Sequence, residues 1–442
     1  MQFIERLRDP TAHRRLWQLA APMLLSNLSI ATLGLVDTAV IGHLHHASYL
    51  AGIAIAAVLF DFLYWGMTFL RMGTTGVVAQ VHGAGNVKRM RSTLRDALLV
   101  AMLIALTILL LRHQIVGFGL GIIDGSAESS RHAAHFFSIK IWGAPGVLAT
   151  MVFVGWLIGM QNARAAMILA ALPCLVHALL DILFVVHLDL EVAGAAYAAL
   201  ITAYISAGLG GYLVSRELRS YEAVSLGGLC WADAHELVVL NWNILLRTLC
   251  LISTFAFFTH QGARQGDSIL AANAVLLNFQ MLTALALDGF ANALEALVGR
   301  SIGASSRARF LSSVIVGATW SIFSALLFVA IYALVGHSLV SFLTDIVEVR
   351  AAAERYLIWA VISPLASVAG FLFDGIFIGA TKGREMRNSM IFSTFAVFLP
   401  AWYLLHGFGN HGLWIALLLF FAARGASMAW YYVKLDRRGA FI

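Results

Sequence analysis

Two weakly similar halves, offset by about 220 residues, make up this chain, and both are almost continuously apolar. The segment GWLIGMQNAR at 155–164 returns as GIFIGATKGR at 375–384, and LAGIAIA at 50–56 returns as LAANAVL at 270–276. Single matches between small and apolar residues arise easily in such a composition. Matches in the same order at one offset indicate a duplicated chain with one structural unit in each half.

Hydrophobic stretches long enough to cross a bilayer follow one another almost without pause. The 442 residues are 60% hydrophobic and only 12% charged, with a mean hydropathy of +0.84. A soluble protein carries roughly a quarter charged residues, and about 20 apolar residues cross a bilayer. The sequence therefore predicts an all-α polytopic membrane protein with twelve transmembrane helices. The predicted spans are 17–42, 47–70, 94–116, 133–158, 165–187, 192–214, 236–259, 269–298, 310–334, 352–379, 388–406 and 411–433.

The basic residues are distributed unevenly between the two sides of these spans. Of the 29 Lys and Arg residues, 21 lie before the first span, after even-numbered spans or after the last span. This positive-inside asymmetry predicts that both termini are cytoplasmic. The net charge of +6 is thereby explained by topology, and we expect no nucleic-acid partner. The polar segment before the first span has no cleavable signal pattern, so we expect that span to be retained.

Six spans in each half is an even number, so both halves enter the membrane in the same direction. We expect two pseudo-symmetric six-helix lobes, 1–214 with spans 1–6 and 236–442 with spans 7–12. The polar segment 215–235 is the predicted cytoplasmic linker between them. Membrane transporters are commonly built from such duplications, with the substrate path where the repeats meet. A monomer completes this fold, so a monomer is the expected state.

Two acidic residues in the first half are candidate coupling groups, because ionisable side chains inside spans are costly and usually functional. Asp37 and Asp181 each lie near the outer end of a span that runs outward, which predicts a similar depth. Burial and mutual repulsion of carboxylates favour proton uptake near neutral pH. His177 lies four residues before Asp181 on the same helix face and completes a candidate proton relay. The alternative is that each acid is hydrogen-bonded structurally to a neighbouring helix.

Two further intramembrane acids are predicted to lie towards the inner ends of their spans. There water or a nearby cation, Arg71 for Asp61 and Lys382 for Asp374, reaches the carboxylate. A structural role is the preferred interpretation for both.

A polar stripe is predicted on span 8 of the second half. Asp288, Asn292 and Glu295 are spaced i, i+4 and i+7 and therefore share one helix face. Arg247 lies deep in span 7, and a buried arginine needs a partner; we expect Asp288 first and Glu295 second. The group is either an ion pair that fixes lobe packing or part of a substrate path, and both interpretations stay open.

Several segments resemble the multidrug and toxic compound extrusion (MATE) transporters, and their DinF subfamily in particular. They are LGLVDTAVIGHL at 33–44, FLRMGTTGVVAQVHGAGN at 69–86, HALLDILFV at 177–185 and LALDGFANALEALVGRSIGA at 285–304. The resemblance extends over the whole chain and implies a MATE/MOP-type fold. It implies a secondary active antiporter of the bacterial inner membrane. Such a protein exports organic, often amphipathic and cationic compounds against an inward flow of protons or sodium ions.

The resemblance also implies roles for individual residues. Asp37 is the expected coupling acid of the first lobe, Asp181 its companion, and Pro22 the hinge at which helix 1 bends. Relatives usually carry Asn where this chain has His177, and often a hydroxyl residue where it has Ala199. Both replacements remove hard oxygen ligands for sodium, and the imidazole is titratable. We therefore expect proton coupling, with no enzymatic activity and no cofactor besides the transmembrane gradient.

Alternatives from other classes stay open at this point. One is sodium-coupled export, and another is a flippase for a lipid-linked substrate with the same two-lobed plan. A third is a membrane metalloenzyme using His177, Asp181 and Asp37, which predicts bound zinc. We expect no metal site, because helical spacing supplies no third ligand beside His177 and Asp181. A passive channel agrees poorly with a duplicated two-lobed chain. The expected partners are small organic molecules, protons and membrane lipids.

Overall fold

The chain is built from helices. The computed structural model describes residues 6–7, 9–41, 47–122, 126–222 and 231–442, and no strand occurs in these ranges. The predicted all-α class is therefore confirmed. Eleven stretches of the described helices are long and apolar enough to cross a bilayer. The helix Pro10–Ile41 contains residues 17–41 of the remaining predicted span, 17–42, whose last residue lies outside the described ranges.

The helices divide between two compact units. We call Leu25–Val238 the first unit, and Met1–Leu24 together with Val239–Ile442 the second unit. Helix α1 (Pro10–Ile41) crosses the boundary at Leu24. The other helices that begin in the first unit are α2 (Ala47–Gly66), α3 (Phe69–Gly83), α4 (Val87–Leu110), α5 (Arg112–Ile122), α6 (Ala127–Lys140), α7 (Ala144–Gly159), α8 (Ala163–Asp181), α9 (Glu191–Leu218) and α10 (Trp231–Ala263). The second unit continues with α11 (Asp267–Gly303), α12 (Arg307–Leu343), α13 (Val347–Gly379), α14 (Gly383–Ile391), α15 (Leu399–Leu405) and α16 (Asn410–Arg437).

The start of α1 packs within the second unit. The Asp9 carboxylate caps the helix and accepts from the hydroxyl and backbone N–H of Thr11, which lowers the pKa of Asp9. Two turns later the Trp17 ring lies edge-on to Phe290 at 5.4 Å and to Trp320 at 5.0 Å. These contacts explain why residues before Leu25 group with the second half of the chain. The predicted functional lobes, 1–214 and 236–442, stay a prediction.

The helical structure of the second predicted span continues beyond its predicted end. The span 47–70 ends before Arg71, whereas the helical stretch runs on to Gly83. Helices α2 and α3 are joined by a tight turn in which the N–H groups of Met67 and Thr68 donate to carbonyls three residues back. After this turn the chain continues through Arg71 as helix α3.

A repeated close contact between helices underlies the sequence repeat. A Cβ added to Gly155 of α7 would lie 2.4 Å from the carbonyl oxygen of Arg71 in α3. A Cβ added to Gly375 of α13 would lie 2.6 Å from the carbonyl oxygen of Ala291 in α11. The two glycines and their two partners share the offset of about 220 residues. Each unit therefore brings the same two helix backbones together at the same place.

A second pair of glycines, one helical turn further along, makes the same kind of contact. Gly159 faces the Thr75 carbonyl oxygen at 2.9 Å, and Gly379 faces the Glu295 carbonyl oxygen at 2.5 Å, measured from the added Cβ. Small residues one turn apart let transmembrane backbones approach closely and gain van der Waals contact. The matched glycines of the sequence are thus explained by packing.

Two arginine side chains of α4 contact residues at or next to the two ends of the predicted linker. Arg91 Nη2 donates to the carbonyls of Leu218 at 3.0 Å and Glu222 at 3.1 Å, satisfying the free end of α9. Arg89 Nη2 lies 2.6 Å from Glu236 Oε2 in α10. Residues 223–230, in the middle of the predicted linker, are outside the described ranges.

Candidate functional site

The predicted pair His177 and Asp181 is brought together near the end of α8. His177 Nε2 lies 3.2 Å from Asp181 Oδ2, and the two side chains are only 12% and 1% exposed. They meet because residues four apart lie one above the other on a helix face. The pair combines an imidazole and a buried carboxylate inside a segment long enough to span a membrane.

A π-helical turn follows the pair at once. Asp181 is the last α-helical residue of α8, and Ile182–His187 forms the π turn. The backbone N–H of Leu188 donates to the carbonyl of Leu183, five residues back, at 2.9 Å. Such turns accommodate an extra residue in a helix and recur at functional sites. No local sequence signal predicts this turn, since no glycine or proline occurs between 182 and 187.

The remaining predicted members of the first site lie on α1. Pro22 lies inside this helix, which continues unbroken to Ile41. Asp37 belongs to the same helix, but its side chain lies outside the described residues. The predicted proximity of Asp37 and Asp181 therefore stays a prediction.

In the second unit Arg247 has a different partner from the one expected. Its Nη2 donates to Oδ2 of Asp374 in α13, and not to Asp288 or Glu295 of the neighbouring span. Arg424 of α16 donates to the same oxygen through its own Nη2. All three side chains are buried. The expectation that Lys382 or water reaches Asp374 is thus wrong, because helices distant in sequence place two guanidinium groups against the carboxylate.

The polar groups of this cluster are not fully hydrogen-bonded. Asp374 Oδ1 and the Nε atoms of Arg247 and Arg424 are buried without a hydrogen-bond partner. Two cations share one carboxylate, which leaves an excess positive charge in a poorly solvated place. Asp288 of α11 lies close enough to Arg424 for a favourable electrostatic interaction and supplies a second negative charge.

The side chains of the predicted polar stripe on α11 become less exposed along the helix. Asp288 is exposed, whereas Asn292 is 9% and Glu295 1% exposed. The exposure decreases because this face of the helix turns towards the interior of the unit along its length. The sequence missed the roles of Asp374 and Arg424. Both residues could be found from the sequence by requiring that every charged side chain inside a span has a partner of opposite charge.

No group of three or more His, Cys, Asp or Glu side chains that could hold a metal ion occurs within the described part of the chain.

Comparisons with known proteins agree with this architecture. The family model described as MatE matches residues 22–208 and 244–404, one segment in each half of the repeat. DNA damage-inducible protein F of Escherichia coli (strain K12) is 40% identical over 433 residues, covering 98% of this chain and 94% of that protein. A probable multidrug resistance protein NorM of Bacillus subtilis (strain 168) is 21% identical over 96% of each protein.

A crystal structure of a mutant of the Vibrio cholerae MATE transporter VcmN has a TM-score of 0.88 and 21% sequence identity, and covers 97% of this chain and 98% of that chain. The predicted MATE/MOP-type fold is confirmed by this superposition.

Proposed function

Because this chain belongs to the MatE family of membrane transporters, we propose that it is a secondary active antiporter that exports organic, amphipathic or cationic compounds in exchange for protons. The protein is a multi-pass membrane protein. We place it in the bacterial inner membrane with both termini in the cytoplasm, acting as a monomer. Its partners are small organic molecules, protons and lipids, and the proton gradient takes the place of a cofactor.

The His177–Asp181 pair carries this proposal. A buried carboxylate beside an imidazole can hold one proton between two groups, and protonation removes a charge that is costly inside a membrane. Sodium prefers several hard oxygen ligands, and an imidazole in contact with the carboxylate is a poor substitute for them. The contact between the two side chains therefore favours protons over sodium as the coupling ion.

The coupling cycle follows from differential affinity. With the site open to the outside, Asp37 and Asp181 take up a proton, the first lobe rearranges and the substrate leaves. The return step releases the proton inside and admits a new substrate from the cytoplasm. A ligand shifts a conformational equilibrium only by its different affinities for the two states, so proton and substrate must favour opposite states. They need not share atoms.

Pro22 is the proposed hinge of α1. A proline has no backbone N–H, so the carbonyl one turn earlier loses its usual partner and the helix bends more easily there. The boundary between the two compact units falls at Leu24, two residues after Pro22. A bend at this place would move the part of α1 that carries Asp37 relative to the part that packs on Phe290.

The second unit has a separate role in this proposal. Arg247 and Arg424 fix the packing of α10, α13 and α16 through Asp374. Asp288 is exposed beside this cluster, so we assign it to the substrate path. Asn292 and Glu295 continue its helix face into the unit and form the polar network behind it.

The test is ethidium export from proteoliposomes under an imposed proton gradient and then an imposed sodium gradient. We expect protons alone to drive export, and Asp37→Asn and Asp181→Asn to abolish it. Asp189→Asn is the matched control, because Asp189 is exposed just after the π turn. Transport driven by sodium alone would refute proton coupling. No export under either gradient, combined with translocation of a fluorescent lipid-linked sugar, would replace drug export by lipid flipping.

A further inference from the structure

An exposed carboxylate lies in the membrane-spanning part of the first unit, on one face of α2. Val58, Asp61, Phe62 and Trp65 follow each other at helical spacing and form what we call the α2 face. Val58, Phe62 and Trp65 are 47%, 57% and 49% exposed, and Asp61 is exposed between them. The apolar members alone would indicate contact with lipid. A carboxylate in hydrocarbon is costly, so the α2 face borders water.

The depth of Asp61 supports this conclusion. Asp61 is the fifteenth residue of α2 and lies about 21 Å along the helix axis from Ala47, at 1.5 Å per residue. A bilayer core is about 30 Å thick, so the carboxylate lies within the spanning part of the helix. Its predicted place towards the inner end of the span stays a prediction.

The internal counter-ion of Asp61 is Lys140. The two side chains interact favourably as opposite charges. Lys140 Nζ also lies 4.8 Å from the centre of the Phe60 ring and 5.2 Å from that of Phe136, both buried. The lysine is thus held partly by ring faces. Its charge balances Asp61 when no other cation is present, while the carboxylate keeps its exposed side.

The second unit presents an equivalent face without the charge. At the repeat offset, Asn278, Met281 and Leu282 of α11 take the places of Val58, Asp61 and Phe62. Asn278 is exposed, and Met281 and Leu282 are 46% and 48% exposed. Both units thus expose this face, but only the first combines a carboxylate with aromatic rings.

We propose that Asp61, Phe62 and Trp65 form a binding site for lipophilic organic cations, in which the bound cation replaces Lys140 as the main counter-ion of Asp61. The carboxylate supplies the charge, and Trp65 and Phe62 supply apolar area and ring faces for the cation. This inference rests on the proposed function, because it names the substrate class recognised by the first unit. It uses none of the proton-coupling residues.

The test is equilibrium binding of tetraphenylphosphonium to the purified full-length protein in detergent, measured calorimetrically without any gradient. Asp61→Asn is expected to weaken binding at least about tenfold, whereas Asp61→Glu keeps most of the affinity. Trp65→Ala is expected to weaken it by about three- to tenfold. Lys140→Met is expected to tighten binding by about threefold or more, because the competing internal cation is gone. A purely structural role of the electrostatic interaction between Asp61 and Lys140 does not predict this gain.

Matched controls separate recognition from misfolding. Leu282→Ala removes the exposed side chain of the equivalent face and is expected to leave the affinity unchanged. Triphenylphosphine oxide, a neutral compound of similar size, is expected to respond to Trp65→Ala and not to Asp61→Asn. If Asp61→Asn fails to fold, Lys140→Met and Trp65→Ala carry the test.

The proposed site would be refuted if Asp61→Asn bound the cation with wild-type affinity. It would also be refuted if Lys140→Met left the affinity unchanged, or if the wild type did not bind the cation. Because no gradient is present, a failure of proton coupling leaves this binding intact. Conversely, proton-driven export with no effect of Asp61→Asn on cation binding would refute the site and leave the proposed function standing.

Discussion

His177 and Asp181 lie one helical turn apart, with Nε2 of the imidazole 3.2 Å from Oδ2 of the carboxylate. The contact joins the imidazole that distinguishes the expected proton relay to the acid expected to bind the proton. An imidazole ordinarily gains a proton near pH 6.5, so its charge changes between pH 5 and 8.

We expect His177→Asn to slow proton-driven export about tenfold at pH 7 and to flatten its pH profile between pH 5 and 8, because the amide cannot take up a proton. The measurement is the initial rate of ethidium export from proteoliposomes at a fixed pH difference. His187→Asn is the control, since His187 is exposed at the end of the π turn. An unaltered pH profile in His177→Asn would show that the imidazole takes no part in proton transfer.

The paired glycines give a second prediction. Gly155→Ala and Gly375→Ala each place a Cβ less than 3 Å from a backbone carbonyl oxygen of the adjacent helix, at 2.4 Å and 2.6 Å. A backbone cannot yield as a flexible side chain does, so we expect each substitution to destabilise the protein by about 1–3 kcal/mol. Thermal unfolding of the purified protein in detergent measures the loss. Gly208→Ala is the control, because its added Cβ meets nothing within 4 Å, and we expect no loss of stability there. Equal melting temperatures for all three variants would contradict the packing explanation.

The repeat was predictable because the two glycines of each pair can be recognised in the sequence by their common offset. Their contacts with Arg71 and Ala291 were not, because hydropathy and spacing describe one helix at a time. The same limit explains the wrong partner for Arg247. Its neighbour in sequence is α11, but the carboxylate that binds it comes from α13.

The shared carboxylate in the second unit gives a third prediction. Asp374→Asn leaves two buried guanidinium groups with no full counter-charge, so we expect a loss of about 3–5 kcal/mol. Arg247→Met and Arg424→Met each leave one arginine on the carboxylate and are expected to cost less. The measurement is thermal unfolding in detergent. Arg350→Met is the control, because Arg350 donates to the Thr344 carbonyl at 3.1 Å and its ion pair with the exposed Asp345 is long, at 3.5 Å. If Asp374→Asn were no less stable than Arg350→Met, the cluster would not hold the three helices together.

The core of the second unit contains a reciprocal pair of amides. Asn273 Nδ2 donates to Asn410 Oδ1 at 2.8 Å, and Asn410 Nδ2 donates back to Asn273 Oδ1 at 2.9 Å. The same Asn273 oxygen accepts from Trp414 Nε1 at 2.8 Å. The two amides are each 2% exposed, and Trp414 is fully buried. Asn273 thus satisfies two other polar side chains in α16.

The fourth prediction follows from this arrangement. Asn273→Leu leaves the Asn410 amide and the Trp414 indole N–H without their partner, and each buried unsatisfied group costs about 1–3 kcal/mol. We expect the double variant Asn273→Leu/Asn410→Leu to lose less than the sum of the single losses, because the second substitution removes one unsatisfied group. A double-mutant cycle on thermal stability measures this coupling, expected at about 0.5–3 kcal/mol for residues in contact. Asn278→Leu on the exposed side of the same helix controls for the loss of an amide as such. Additive losses would mean that the two amides contribute independently, and that the reciprocal hydrogen bonds do not link α11 to α16.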